Sequence, residues 1–199
     1  MALIVDERLD YSSINRPCRG EYLSGDAVII RPLEQGLFVA IVDVLGHGAE
    51  ANELTHVIEA YLNRYCASDV SAVIQRLHQH LKGTRGAAVG LCAIDTFTGR
   101  IDYVGIGNTA MRLFSKTETR FVSQDGVVGQ NMRTPRPQSA QLEPRDLIVL
   151  YTDGVSDRFT SQDYPGVSHH APEAVARNIV QRFGKDHDDT TCIAVRYCP

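Results

Sequence analysis

Leu37-Phe38-Val39-Ala40-Ile41-Val42-Asp43-Val44-Leu45-Gly46-His47-Gly48 is the stretch on which the reading of this chain turns. Its first six residues are apolar without a break, and a run of that length predicts an interior strand. The run ends at an aspartate, followed by two glycines within five positions. An aspartate placed there can leave the core while the sheet still holds its backbone.

On the N-terminal side, Asp26-Ala27-Val28-Ile29-Ile30-Arg31 reads as a partner strand across a turn at Glu34-Gln35-Gly36. On the C-terminal side two helices are expected. From Leu54, apolar residues fall at Val57, Ile58, Tyr61, Leu62 and Tyr65; from Val70, they fall at Val73, Ile74, Leu77 and Leu81. Both stripes keep a 3.6-residue period and are one-sided, so each helix should lie on a sheet. Ser68 or Asp69 can cap the second helix and Gly83 can stop it. Beyond it the chain is β-rich: 87–94, 100–106 and 110–115, with turn signals at Thr98-Gly99 and Gly107-Asn108. Short turns between consecutive strands imply antiparallel meanders. Residues 123–140 carry Pro135 and Pro137 and predict a loop with at most one short strand. Leu147 to Tyr151 is a further interior strand. A last helix opens with Pro172, buries Val175, Ile179, Val180 and Phe183, and ends at Gly184; 191–197 closes as a strand. The order of elements predicts an α+β fold: a β-sandwich of two mainly antiparallel sheets flanked by helices. No repeat or linker divides the chain, so residues 1–199 are expected to form one domain.

The composition is that of an ordinary folded protein, with 43% hydrophobic and 22% charged residues. A formal charge of −4 offers no basic footprint for nucleic acid. No apolar run approaches the ~20 residues needed to span a bilayer, and the acidic start, Met1 to Glu7, is unlike a signal peptide. A cytoplasmic protein with no nucleic-acid or membrane partner is expected. The five cysteines form no CxxC and no metal-like spacing; Cys92 and Cys192 sit in strand-like runs and read as core thiols.

Four aspartates share the context of Asp43, each at or beside the end of an apolar strand and near small or turn-forming residues: Asp26, Asp43, Asp153 and Asp188. Singly, such a residue is a turn former or a cap. Together they suggest strand ends that converge. Carboxylates brought together raise one another's pKa unless a cation offsets them. Hard oxygen donors suit Mg2+ or Mn2+. Two such ions ~3.5–4 Å apart can clamp a phosphoryl group and activate a water.

Ser24-Gly25-Asp26, Val42-Asp43-Val44-Leu45-Gly46-His47-Gly48, Tyr151-Thr152-Asp153-Gly154-Val155 and Asp188-Asp189-Thr190-Thr191, in that order, resemble the PPM (metal-dependent, type 2C) protein phosphatases, and most of all their SpoIIE-like branch. The resemblance runs from about residue 20 to 197. It implies a metal-dependent serine/threonine phosphatase holding two Mn2+ or Mg2+ ions. By position, Asp43 would bridge the ions and the Val44 carbonyl would bind one of them. Asp153 and Asp188 would complete the other shell, and Asp26 would act near the second ion. Asp43 and Asp153 are thus the expected catalytic residues, with Asp189 and Asn108 supporting them. The implied reaction is direct in-line attack by an activated water, without a phosphoenzyme.

There are departures from the family pattern. Its acid histidine follows the bridging aspartate by two positions, where this chain has Leu45; His47 comes two residues later and reads as a packing or substrate contact at a glycine turn. Asn108 stands in a Gly-Asn turn where the family has Gly-Asp, so a firmly held third ion is not expected. Arg85 reads as a solvated surface arginine and His169-His170 as a loop pair. With the first motif at residue 24, no regulatory domain is expected ahead of it. Within the branch, a free-standing unit of this size implies phosphorylated STAS-domain scaffold proteins of a bacterial stressosome as partners and substrates. Two other readings stay open: a phosphatase of the same branch acting on a phosphorylated anti-anti-sigma factor, and a silent binding module that keeps the fold.

Overall fold

In the computed structural model, which describes residues 7–156 and 163–199, the decisive run lies in β3 (Gly36–Val44). It sits inside a five-stranded sheet ordered β2 (Asp26–Leu33), β3, β4 (Ala87–Asp95), β5 (Arg100–Ile106), β8 (Gln138–Gln141). A second sheet is ordered β1 (Leu9–Arg16), β10 (Thr190–Tyr197), β9 (Leu147–Tyr151), β6 (Ala110–Phe114), β7 (Glu118–Phe121). Every strand ladder is antiparallel. The sandwich carries α1 (Ala49–Tyr65) and α2 (Val70–His80) on the first sheet and α3 (Pro172–Phe183) on the second.

The unbroken apolar run follows from this layering. Leu37, Val39 and Ile41 pack between the sheets, while Phe38, Ala40, Val42 and Val44 pack under α1 and α2. With both faces covered, a strand has no polar side to alternate with. The same parity holds in the second sheet: Ile148, Leu150, Ile193 and Val195 point inward, and Val149, Tyr151, Cys192 and Ala194 point to α3. Cys92 and Cys192 are fully buried core thiols.

Turns and caps follow local chemistry. Asp69 caps α2 by accepting from the Ala72 amide at 2.9 Å. Asp95 Oδ1 accepts from the Phe97 and Thr98 amides, closing the β4–β5 turn. Pro172 occupies the first turn of α3, where a missing N–H costs nothing.

The differences from expectation have physical causes. Helix α1 begins at Ala49, ahead of Leu54, and buries Ala51, Thr55, Ile58 and Leu62. Val57 and Tyr65, expected on the buried stripe, are 46% and 45% exposed. The helix is turned so that small residues lie over the sheet and Thr55 Oγ1 can donate to the Gly25 carbonyl at 2.7 Å. Strands β1 and β7 were not evident in the pattern. Both are edge strands, partly exposed, and their Tyr11-Ser12-Ser13 and Glu118-Thr119-Arg120 stretches are polar. β8, at the end of the segment expected to be a loop, is an edge strand too. Phe183, expected to be buried, is half-buried against the α3 core. Among the described residues no helix is long and apolar enough to cross a membrane.

Candidate active site

The parity of β3 carries past its apolar run. Asp43, two residues beyond Ile41, points to the inter-sheet side, and its register partner across the β2–β3 ladder is Asp26. From the other sheet, Thr152 follows Leu150 on the same parity and Thr191 precedes Ile193. Thr152 Oγ1 donates to Asp26 Oδ2 at 2.8 Å, and the Thr191 amide donates to Thr152 Oγ1 at 3.0 Å. Thr191 thus reaches Asp26 through Thr152, its amide holding the hydroxyl that donates to the carboxylate. Two sheets are thereby stitched together at one end of the core, around two carboxylates.

Asp153 and Asp188 reach this end from the chain flanking β9 and β10. Asn108 Nδ2 donates to Asp153 Oδ2 at 2.6 Å, and Lys185 Nζ donates to the Asp153 carbonyl at 2.5 Å. Gly154 is required here: a Cβ would lie 1.9 Å from the Asp189 carbonyl oxygen. The 153–155 turn is held further by the Lys185 amide on the Gly154 carbonyl and a Val155–Gly184 bridge.

The Ser24-Gly25-Asp26 approach is also tied down. Asp189 accepts from the Cys18 amide at 2.8 Å and from the Gly25 amide at 2.7 Å, one on each carboxylate oxygen. Asn52 Nδ2 donates to the Ser24 carbonyl at 2.9 Å, and the Val44 amide to the Gly25 carbonyl at 3.2 Å. Asp189 therefore acts as a buried clamp on the neighbouring loop. The Val44 side chain is buried in the helix-side core, so only its main chain can serve the site.

Burial pushes the Asp43 carboxyl up to about 8, aided by the charges of Asp26, Asp153, Asp188 and Asp189. Burial likewise lifts Asp26 to about 7; the neighbouring Thr191 and Thr152 side chains work against that rise, while the charges of Asp189 and Asp188 add to it. Asp188 is raised by burial and by Asp153, with Lys185 opposing. Carboxylates from all four segments thus act on one another. Among the described residues, no three His, Cys, Asp or Glu side chains are gathered closely enough to grip an ion as a ready-made cage. Mg2+ and Mn2+ do not require one: such an ion keeps waters in its shell and takes one or two carboxylates. A hard-oxygen donor set with mutually raised carboxyls fits a divalent cation.

The lesser candidates fall elsewhere. His47 is exposed and its Nδ1 pairs with Glu21 at 3.2 Å. Arg85, expected to be merely solvated, braces the loop after β3: it donates to the Leu45 carbonyl at 3.2 Å and pairs with Glu50. His169 ends a short 3-10 turn and His170 bonds the Gly166 carbonyl. Thr152, Thr191 and Lys185 had not been singled out. The two threonines stand inside the aspartate motifs and were legible as their neighbours; nothing in the sequence marks Lys185. A cavity of about 580 Å3 opens beside Asp153, lined by Asn108, Thr109, Arg120, Ser123 and Lys185 among others.

Two antiparallel sheets flanked by helices make the α+β fold that PP2C-type phosphatases share. The family model described as stage II sporulation protein E (SpoIIE) matches residues 34–197, and the chain belongs to that family. The phosphoserine phosphatase RsbX of Bacillus subtilis (strain 168) is 26% identical over 139 residues, which is 69% of this chain and 70% of that protein. A solved chain from work on the bacterial stressosome, as a modular system adapted to control secondary messenger signalling, matches with a TM-score of 0.88. It is 26% identical, and the match covers 96% of this chain and 100% of that one. A crystal structure of RsbX in complex with magnesium matches with a TM-score of 0.81 at 22% identity, over 97% of each chain.

Proposed function

We propose that residues 1–199 act as one cytoplasmic, divalent-metal-dependent phosphatase unit that removes phosphate from serine or threonine on STAS-domain scaffold proteins of a stressosome, resetting a stress signal. The observation that carries the chemistry is the convergence of Asp26, Asp43, Asp153 and Asp188 at one end of the sandwich, where burial and neighbouring carboxylates raise the carboxyls of Asp26, Asp43 and Asp188. Asp26, Asp43, Asp153, Asp188 and the Val44 carbonyl would hold Mn2+ or Mg2+. Bound there, such ions supply Lewis-acid polarisation of the phosphoryl oxygens and acidify a water for in-line attack. The chain's own part is positional. Thr152, itself held by the Thr191 amide, orients Asp26, Asn108 and Lys185 hold Asp153, and Asp189 fixes the Gly25 loop beside them. Asn108 brings no charge, so a third ion is not part of the proposal.

The substrate reading rests on the likeness to RsbX and to the stressosome-derived chain. A second reading keeps the chemistry and changes the substrate to a phosphorylated anti-anti-sigma factor; membership of the SpoIIE family favours keeping it in view. The test is phosphate release from each purified phosphoprotein, with Mn2+ and with chelator. Metal-dependent release that is faster on the STAS scaffold supports the proposal. Faster release from the anti-anti-sigma factor selects the second reading, and release unaffected by chelator removes the metal from both.

A further inference from the structure

A second cavity of about 580 Å3 lies between α2 and residues 132–135, and it shares no lining residue with the acidic site. Its wall includes Gln75, Arg76, His78, Gln79, Arg133 and Thr134, and no Asp or Glu. On a chain of net charge −4 that is a local reversal of sign. Arg76 and Arg133 are exposed and, among the described residues, have no ion-pair or hydrogen-bond partner.

His78 supplies an independent observation. The residue is only 7% exposed, and its Nδ1 accepts a hydrogen bond from the Gly129 amide at 2.9 Å. A ring nitrogen that accepts from an amide carries no proton, so the neutral ring bears its hydrogen on Nε2. Burial and the charge of Lys82 hold the ring pKa below its ordinary value, which keeps it neutral. The Nε2–H donor has no protein partner among the described residues, and His78 lines the cavity. The ring nitrogen is not among the buried polar atoms left without a partner, so it is reachable from the cavity and can donate to an acceptor seated there.

We propose that this cavity binds an oxyanion of the phosphate class, accepting from His78 Nε2–H and charge-paired by Arg76 and Arg133. Guanidinium groups match phosphate geometry in two-point contacts. The same chemistry is offered by free inorganic phosphate, the product of a phosphatase, and by a phosphorylated side chain of a protein partner.

The test follows the His78 ring nitrogens and the Gly129 amide by NMR in the 15N-labelled full chain, titrated with inorganic phosphate at constant ionic strength in chelator. A saturable shift at both groups is expected, with affinity reduced at least about tenfold in an Arg76→Gln/Arg133→Gln variant. An unmoved Gly129 signal in the phosphate-free variant shows that its fold is intact. Asp43→Asn should leave the binding unchanged, because the acidic site is not involved. No shift at His78, equal affinity in the arginine variant, or loss of binding in Asp43→Asn would each overturn the proposal. A phosphoserine peptide binding more tightly than phosphate identifies a protein partner as the source; equal or weaker binding identifies free phosphate. The titration needs no turnover, so its outcome is independent of the catalytic reading.

Discussion

Asp26 and Asp43 stand opposite each other across the β2–β3 ladder, on the face that looks between the sheets. Opposed like charges destabilise a strand pair, and burial makes the cost larger. The position is explicable as a place where a cation is wanted. Its first consequence is a dependence of stability on pH and metal.

Both carboxyls titrate higher in the folded chain, at about 7 for Asp26 and about 8 for Asp43, than their ordinary value of 3.8. Between these limits the unfolded chain has released protons that the folded chain retains, so stability falls as pH rises. For the metal-free protein, their contribution is full below about 3.8 and is lost as pH rises through about 7 and about 8. Added Mn2+ should restore stability, and more at pH 8 than at pH 5, since it binds the ionised form. Thermal melts in chelator and in Mn2+ at the two pH values check this. Chelated protein that melts higher at pH 8 than at pH 5 would contradict it.

Asp43→Asn should separate activity from stability. Loss of a ligand should lower metal-dependent phosphate release by at least ~100-fold, beyond the range seen for supporting residues. The same change removes a buried acid, so in chelator at pH 8 the variant should melt above the parent. Reduced activity together with a lower melting temperature at that pH would point to a folding defect.

Lys185 should act through Asp153. Its ammonium holds the Asp153 carbonyl and opposes the charge on Asp188. Lys185→Met should raise the Mn2+ concentration needed for half-maximal activity by ~10–100-fold, and Lys185→Arg should recover part of that loss. The readout is a Mn2+ titration of initial rates; an unchanged half-maximal concentration would remove Lys185 from the site.

Asp189 should matter more to the fold than to the ions. Asp189→Ala leaves the Cys18 and Gly25 amides without their acceptors, at ~1–3 kcal/mol for each buried group. Denaturant titration with excess Mn2+ should show a lower midpoint with an unchanged slope. Gly154→Ala should lose stability as well, because its Cβ has nowhere to go but into the Asp189 carbonyl.

The interior strands were readable because burial on both faces leaves an unbroken apolar run, as in 37–42 and 147–151. β1 and β7 were not, because edge strands are held by main-chain pairing and carry polar side chains. The face of α1 was misjudged for a related reason. Val57 is as apolar as Ile58, and only the packing of Ala51 and Thr55 on the sheet decides which of them is covered.

Taken alone, the sequence determined the class of fold and the identity of the aspartates at strand ends, since apolar periodicity and local motif are properties of neighbouring residues. Only the tertiary structure decided that Asp26 is held by Thr152 from the side of the opposite sheet, that Asp189 clamps a loop more than 160 positions away in the chain, and that Lys185 supports Asp153. Those contacts join segments distant along the chain. Their partners are chosen by how the two sheets close on each other, a relation that no stretch of neighbouring residues contains.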